Sequence, residues 1–320
     1  MARIRQRAGQ VVVTVESPKG LSMQGAVKLA ETAGRLQVEA EVEVTGPEVF
    51  ARRGARLSSM TQSLLYKGIR ERASRKQAPR RRTLMHLDIT RHAAAGISPK
   101  LPTDEEIWRS LRKKDIAYRT RAFLWRVMHQ SYKCGSYWDN IPGCQERGMC
   151  RECDTVDSVE HALTECRATG QERAWRLAEE VWLRQGGNVP WVRPPYGLIL
   201  ASSLADVRKP GGKGKLKGAT RLMTILVTET AQVIWRMRCK WKITDEGDPE
   251  KKPSAEQVQK VWSTAIAKRF RVECLSTSQH RYGKKALKRS IVERTWWPVL
   301  NNKDSLQDDW IETNTGVLVG

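Results

Sequence analysis

Cys150, Cys153, His161 and Cys166 form a Cys-x2-Cys-x7-His-x4-Cys array. Three thiolates and one imidazole make a full tetrahedral set for Zn2+, a borderline ion that takes sulfur and nitrogen together. Two cysteines separated by two residues suit a tight knuckle that grips one face of an ion. Four protein ligands leave no position for water, so the expected ion is structural. The alternative is a group of reduced core cysteines beside a chance histidine. Cysteines in such spacing, in a chain without secretory features, more often mark a metal site.

The second half of the array needs a short helix. Residues 157–167 read as one, with Asp157 as N-cap and Glu160 three positions on, placing His161 near its start and Cys166 near its end. Upstream, residues 104–111 and 115–130 read as helices opened by acidic residues. On the second, Tyr118, Ala122, Trp125 and Met128 recur at the spacing of a core face. His129, near its end, reads as a packing residue, and Cys134 and Cys144 as buried thiols. Downstream, 171–185 is a predicted helix with Trp175, Ala178, Val181 and Trp182 on one face. Residues 220–242, 255–275 and 284–295 are predicted helices as well, followed by an acidic tail at 306–310 expected to dock on basic surface. The Trp and Met stripes read as core.

The expected fold is mostly α, a small zinc-knuckle module flanked by helices, with weak strands at 11–16 and 38–44 and a helix at 24–36 in front. Residues 51–103 read as a basic linker or helical segment, 104–185 as the metal-binding domain, 186–218 as a Pro/Gly/Lys-rich linker and 219–320 as a helical region. The run Gly211-Gly212-Lys213-Gly214-Lys215 lacks the Gly-x4-Gly-Lys-Ser/Thr spacing of a phosphate loop.

Fifty-seven Lys and Arg against 35 Asp and Glu give the 320 residues a formal charge of +22. That excess points to a polyanionic partner, RNA or DNA, contacted through its phosphate backbone. Residues 51–126 hold 20 Lys and Arg and 6 Asp and Glu. Candidate contacts there are Arg80, Arg81, Arg82, Arg112, Lys113, Lys114, Arg119 and Arg121. Twelve tryptophans against three phenylalanines suit helix interfaces, with a minority such as Trp138, beside Tyr137, left to stack on bases. No run of about 18 apolar residues predicts a membrane span. The basic start is not a signal peptide, and seven cysteines, an odd number, argue against a disulfide framework. The expected setting is intracellular, the nucleus included, and not secreted.

Residues 107–182 resemble the reverse-transcriptase zinc-binding domain of retrotransposon polyproteins. The matching marks are Ile107-Trp108-Arg109-Ser110-Leu111, Phe123-Leu124-Trp125, His129, Gly135, Trp138, Ile141-Pro142-Gly143 and the four ligands with Glu160-His161 among them. The flanks, including Gly54-Ala55-Arg56-Leu57-Ser58 and the closing Thr315-Gly316-Val317-Leu318-Val319-Gly320, are similar to fungal proteins derived from such elements. Gly25-Ala26-Val27-Lys28-Leu29-Ala30 resembles the last RNase H motif, Gly-Ala-Asp-x-Leu-Ala, so that residues 1–50 are expected to be a degenerate α/β remnant of that fold. An ordinary Ala-rich helix accounts for the same six residues. The family's metal-binding Asp is Val27 here, and the upstream Gly-His-x-Gly aligns with Gly20-Leu21-Ser22, without the histidine. RNase H chemistry needs several carboxylates around two Mg2+ ions, and Glu16 is the one acidic residue before Val27.

The resemblance and the charge together imply a non-catalytic, zinc-stabilised nucleic-acid-binding protein, a C-terminal piece of such a polyprotein. One competing expectation is a nuclease or polymerase accessory enzyme using Glu41, Glu43 and Glu48. Another is a protein-interaction module in which charge serves solubility.

Overall fold

A computed structural model describes residues 21–35, 60–74, 78, 80–98, 100–185, 189–208 and 214–318. The chain divides into two units at Ala78 and Pro79. The strands expected at 11–16 and 38–44, the carboxylates Glu41, Glu43 and Glu48, and the glycines at 211 and 212 lie outside the described residues.

In the first unit the described residues form two helices, α1 (Leu21–Gly34) and α2 (Gln62–Ser74). Val27 is exposed on α1. Within residues 1–50 the described residues amount to this helix.

The second unit is a helical body around one long element. Helices α3 (Arg81–Ala94), α4 (Asp104–Ser110) and α5 (Tyr118–Met128) are followed by the hairpin strands β1 (Met149–Cys150) and β2 (Thr155–Val156). Then come α6 (Val159–Thr164), α7 (Gln171–Leu183), α8 (Tyr196–Ala201) and α9 (Lys217–Cys239). The chain closes with α10 (Ala255–Leu275), α11 (Gln279–Tyr282), α12 (Arg289–Trp296) and α13 (Trp310–Thr313). Among the described residues the only sheet is this two-stranded hairpin. The fold is therefore mostly helical, as expected.

Helix α9 is buried on nearly every side, with Leu222, Ile225, Leu226, Val227, Val233 and Ile234 all covered. A helix of that character must be surrounded, and α5, α6, α7, α10 and α12 all pack on it. Its polar residues are consumed internally. Arg221 donates to both carboxylate oxygens of Glu273 on α10, each at 2.6 Å, and to Asp115 at 2.6 Å. Trp296 Nε1 adds a bond to the same glutamate at 2.7 Å, so one buried carboxylate joins α9, α10 and α12.

Side-chain caps set several helix starts. Thr103 and Glu106 form a reciprocal capping box on α4, as do Ser254 and Gln257 on α10. Gly170, at φ +67°, precedes α7, where a Cβ would stand 2.4 Å from Val258 and push α7 off α10.

Three sequence expectations change. The segment 186–218 is not simply a linker, because it contains α8, whose Ile199 and Leu200 are buried against α3. Helix α5 buries Phe123, Leu124, Val127 and Met128, whereas Tyr118 and Trp125 are 79% and 53% exposed. The predicted face is thus rotated, since aromatic residues satisfied the periodicity without being the ones covered. The 306–310 tail docks through more than charge: Trp310 is buried and stacks on Phe270 at 5.9 Å, beside a bond from Arg289 to the Asp308 carbonyl.

Candidate metal centre

The hairpin pairs Met149 with Val156 and Cys150 with Thr155. Between the strands the chain reverses in a turn where the Asp154 N–H donates to the Cys150 carbonyl at 2.8 Å. The Cys153 N–H reaches the same oxygen at 3.3 Å. Asp154 has φ +53°, a left-handed conformation that aspartate tolerates better than most residues. Cys-x2-Cys thus spans a tight hairpin turn.

Helix α6 supplies His161, and the turn just past its end supplies Cys166. The N-cap of α6 is Ser158, whose hydroxyl accepts from the His161 N–H at 2.9 Å, and not Asp157 as the sequence suggested. The helix ends early because the Cys166 N–H turns back to the His161 carbonyl at 2.8 Å. His161 and Cys166 are thereby carried to the knuckle side of the helix.

The four ligand atoms all lie within 4.8 Å of one another. Cys150 Sγ and Cys166 Sγ are 3.7 Å apart. A tetrahedral ion with Zn–S bonds of about 2.3 Å separates its sulfurs by about 3.8 Å. His161 Nδ1 faces Thr155 Oγ1 at 3.3 Å and the Glu165 carboxylate at 3.5 Å, while its buried Nε2 has no hydrogen-bond partner. Leaving a buried ring nitrogen unpaired is costly. An ion at Nε2 removes that cost, and the Nδ1 contacts are those that fix a metal-binding tautomer.

Further bonds brace the sulfurs. The Arg167 N–H donates to Cys153 Sγ at 3.4 Å, and the Arg167 guanidinium to the Glu152 carbonyl at 2.9 Å. The hydrogen bond between Cys150 and Cys166 holds the Cys150 thiol well below its ordinary range and pushes Cys166 up, so the pair shares one proton. A cation between them lets both carry charge. Trp241, delivered by a π turn at Lys240–Thr244 that extends α9, packs with Cys150, Cys166 and Ala168 in a small core of their own. The donor set and geometry suit a metal ion held without an open coordination position.

Cys134 and Cys144 do not join the cluster. Both are half-buried, and burial pushes the Cys134 thiol up to about 11, keeping it protonated at neutral pH. His129 is a packing residue, as expected. It sits 3.1 Å from Thr83 Oγ1 and stacks on Trp108 with ring centroids 5.0 Å apart.

The basic residues singled out in the sequence divide by environment. Arg80, Arg81 and Arg82 are exposed where α3 begins, the helix end whose dipole disfavours positive charge. Arg112, Lys114 and Arg119 are exposed too. Lys113 is committed elsewhere: its ammonium donates to the Ser203 carbonyl, and burial pulls its pKa down. Arg121 is half-buried, with its guanidinium 5.9 Å from the Tyr118 ring centroid. Trp138 is half-buried and spends its Nε1–H on the Lys133 carbonyl at 3.2 Å.

Two features had no sequence signal. Asp157 makes a buried ion pair with Arg238 of α9. A cavity of about 150 Å³ beside β2 is lined by Arg82, His86, Tyr132, Tyr137 and Tyr196, where His86 Nε2 lies 2.9 Å from the Tyr196 hydroxyl. Both join residues far apart along the chain, beyond the reach of any local pattern.

Set beside known proteins, the chain matches no protein family, no curated protein and no solved structure. Among the described residues, no helix is long and apolar enough to cross a membrane.

Proposed function

We propose that this chain is a non-catalytic nucleic-acid-binding protein whose central module is stabilised by one structural zinc ion. The resemblance to the reverse-transcriptase zinc-binding domain supports an origin in the C-terminal part of a retrotransposon polyprotein. The observation that carries the metal half is the Cys150, Cys153, His161 and Cys166 cluster, with a buried His161 Nε2 that lacks any other partner. Zinc fits better than a hard cation, because three of the four donors are sulfur. In this role the ion performs no reaction and fixes the hairpin against α6.

The nucleic-acid half rests on charge placement. An excess of +22 needs a counterpart, and Arg81 and Arg82 occupy a helix end where they cost stability. Cations at such positions are explained by an anionic ligand, and phosphate is the ligand that guanidinium recognises best. Such contacts position a backbone without reading sequence.

The experiment is a paired measurement on the full chain. Metal analysis should return one zinc per chain, and affinity for RNA and DNA should fall steeply with added salt. Replacing Arg80, Arg81 and Arg82 by Gln should lower affinity and flatten the salt slope by about 1 per lost contact. A metal-free native protein rejects the zinc assignment. Absent or salt-insensitive binding rejects the nucleic-acid assignment.

A further inference from the structure

Helix α5 presents two large aromatic rings to solvent at the same time as it buries a complete apolar face. Phe123, Leu124, Val127 and Met128 fill the core side. At about 100° per residue, Tyr118, Ala122 and Trp125 form a stripe on the opposite side. Tyr118 is 79% and Trp125 53% exposed, so neither ring is needed to hold the helix down.

Arginines flank this stripe on both sides. The same angular spacing puts Arg119 and Arg126 along one edge and Arg121 along the other. Arg121 already lies over the Tyr118 ring at 5.9 Å. Among the described residues, none of these three arginines has a carboxylate partner. The nearest acid along the chain, Asp115, is engaged by Arg221. The far end of the stripe is also built: His129 packs at 4.4 Å from the Trp125 ring and stacks on Trp108, which holds Trp125 to one side.

We propose that the outer face of α5 is a stacking platform for single-stranded nucleic acid, a deepening that rests on the nucleic-acid-binding role argued above. Exposed rings want an apolar, planar partner, and guanidinium groups without a carboxylate want an anion. Unpaired nucleotides supply both in one ligand, whereas a duplex hides its base faces inside the stack. Positions 118 and 125 are separated by about 10.5 Å along a helix rising about 1.5 Å per residue. Tyr118 and Trp125 thus take two bases of one strand, while Arg119, Arg121 and Arg126 hold the phosphates between and beside them.

The test uses the full-length protein with oligouridylate, oligothymidylate and a duplex of equal length, following anisotropy across a salt series. The Tyr118→Ala/Trp125→Ala variant should lose on the order of 10-fold or more in single-strand affinity. Duplex affinity and salt slope should stay as in the unmodified protein. Trp125→Phe should keep most of the affinity but lose the tryptophan quenching that the oligonucleotide causes. Both side chains are exposed, so circular dichroism melts should coincide for all variants. If the double-alanine variant does not fold, Trp125→Phe decides through the quenching signal alone. Unchanged single-strand affinity, or equal losses for strand and duplex, overturns the platform while leaving general phosphate binding intact. Binding of neither ligand by the unmodified protein overturns the parent role instead. A double variant that abolishes self-association without touching nucleic-acid affinity overturns the platform in favour of an interface between copies.

Discussion

Asp157 and Arg238 form a two-point ion pair with both side chains almost fully buried, one point being Arg238 Nε to Asp157 Oδ1 at 3.3 Å. Asp157 immediately follows β2, and Arg238 stands in the last turn of α9, so the pair ties the cysteine-bearing hairpin to the central helix. Removing one partner leaves the other as an uncompensated buried charge, at a cost of about 3–5 kcal/mol. Asp157→Leu and Arg238→Met should each destabilise by that order in denaturant unfolding. Combining the two substitutions in one chain should recover most of the loss, since a buried pair can be replaced by apolar packing at little net cost. Strictly additive losses would show that the two residues act independently.

Metal removal should be visible at Trp241. This ring packs on Cys150 and Cys166 and donates Nε1–H to the Asp248 carbonyl at 2.8 Å. A structural zinc contributes on the order of 10 kcal/mol of folding free energy. A chelator should therefore lower the melting midpoint sharply and red-shift tryptophan emission. The shift should be smaller in Trp241→Phe. Cys150→Ser and His161→Gln should reproduce the chelated state without chelator. A midpoint insensitive to chelation in a protein shown to have lost its metal would exclude a structural ion.

What the sequence made legible follows from how local each signal is. Helix α10 begins where predicted because Ser254 and Gln257 form a local capping box that the sequence itself displays. The Cys150, Cys153, His161 and Cys166 cluster was readable because its members are sixteen residues apart at most, within reach of one hairpin and one short helix. Asp157 was read as the N-cap, but Arg238, eighty-one positions away, engages its carboxylate and Ser158 caps the helix instead. Helix α5 carried two apolar stripes, and only packing against α9 decides which one is covered. Helix α8 was hidden in a segment rich in Pro and Gly, because six residues of helix give too little periodicity to be seen.

Glu229 gives a dependence on pH. It sits on the buried side of α9, where burial raises its pKa above the ordinary value of 4.5, and Thr120 Oγ1 shares its one proton between Glu229 at 3.2 Å and the nearer Gln232 Oε1 at 2.6 Å. With the folded value above the unfolded one, the folded chain holds the proton more tightly. Its stabilising effect is complete below pH 4.5 and is lost as pH rises through the folded value. Each unit of elevation corresponds to about 1.4 kcal/mol. Glu229→Gln keeps an acceptor for Thr120 and carries no charge. Its melting midpoint should exceed that of the unmodified protein at pH about 7, with the difference shrinking as pH falls to about 4. An equal gain at both pH values would mean that packing, not ionisation, is responsible.

Gly218, in the first turn of α9, marks the closest approach of this helix to α12. A Cβ there would lie 1.9 Å from the Arg294 carbonyl oxygen and 2.6 Å from its carbon, both backbone atoms that cannot swing aside. The two helices must separate to admit even a methyl group, and their shared surface includes the buried Val292 and Trp296. Separation also strains the bond from Trp296 to Glu273, and through that carboxylate the Arg221 network. Gly218→Ala should thus destabilise by about 3 kcal/mol, the upper end of the overpacking range, although alanine is the better helix former. Gly218→Ser should do at least as much harm. If Gly218→Ala instead raised the unfolding midpoint, α9 and α12 would have to be farther apart than a direct backbone contact allows.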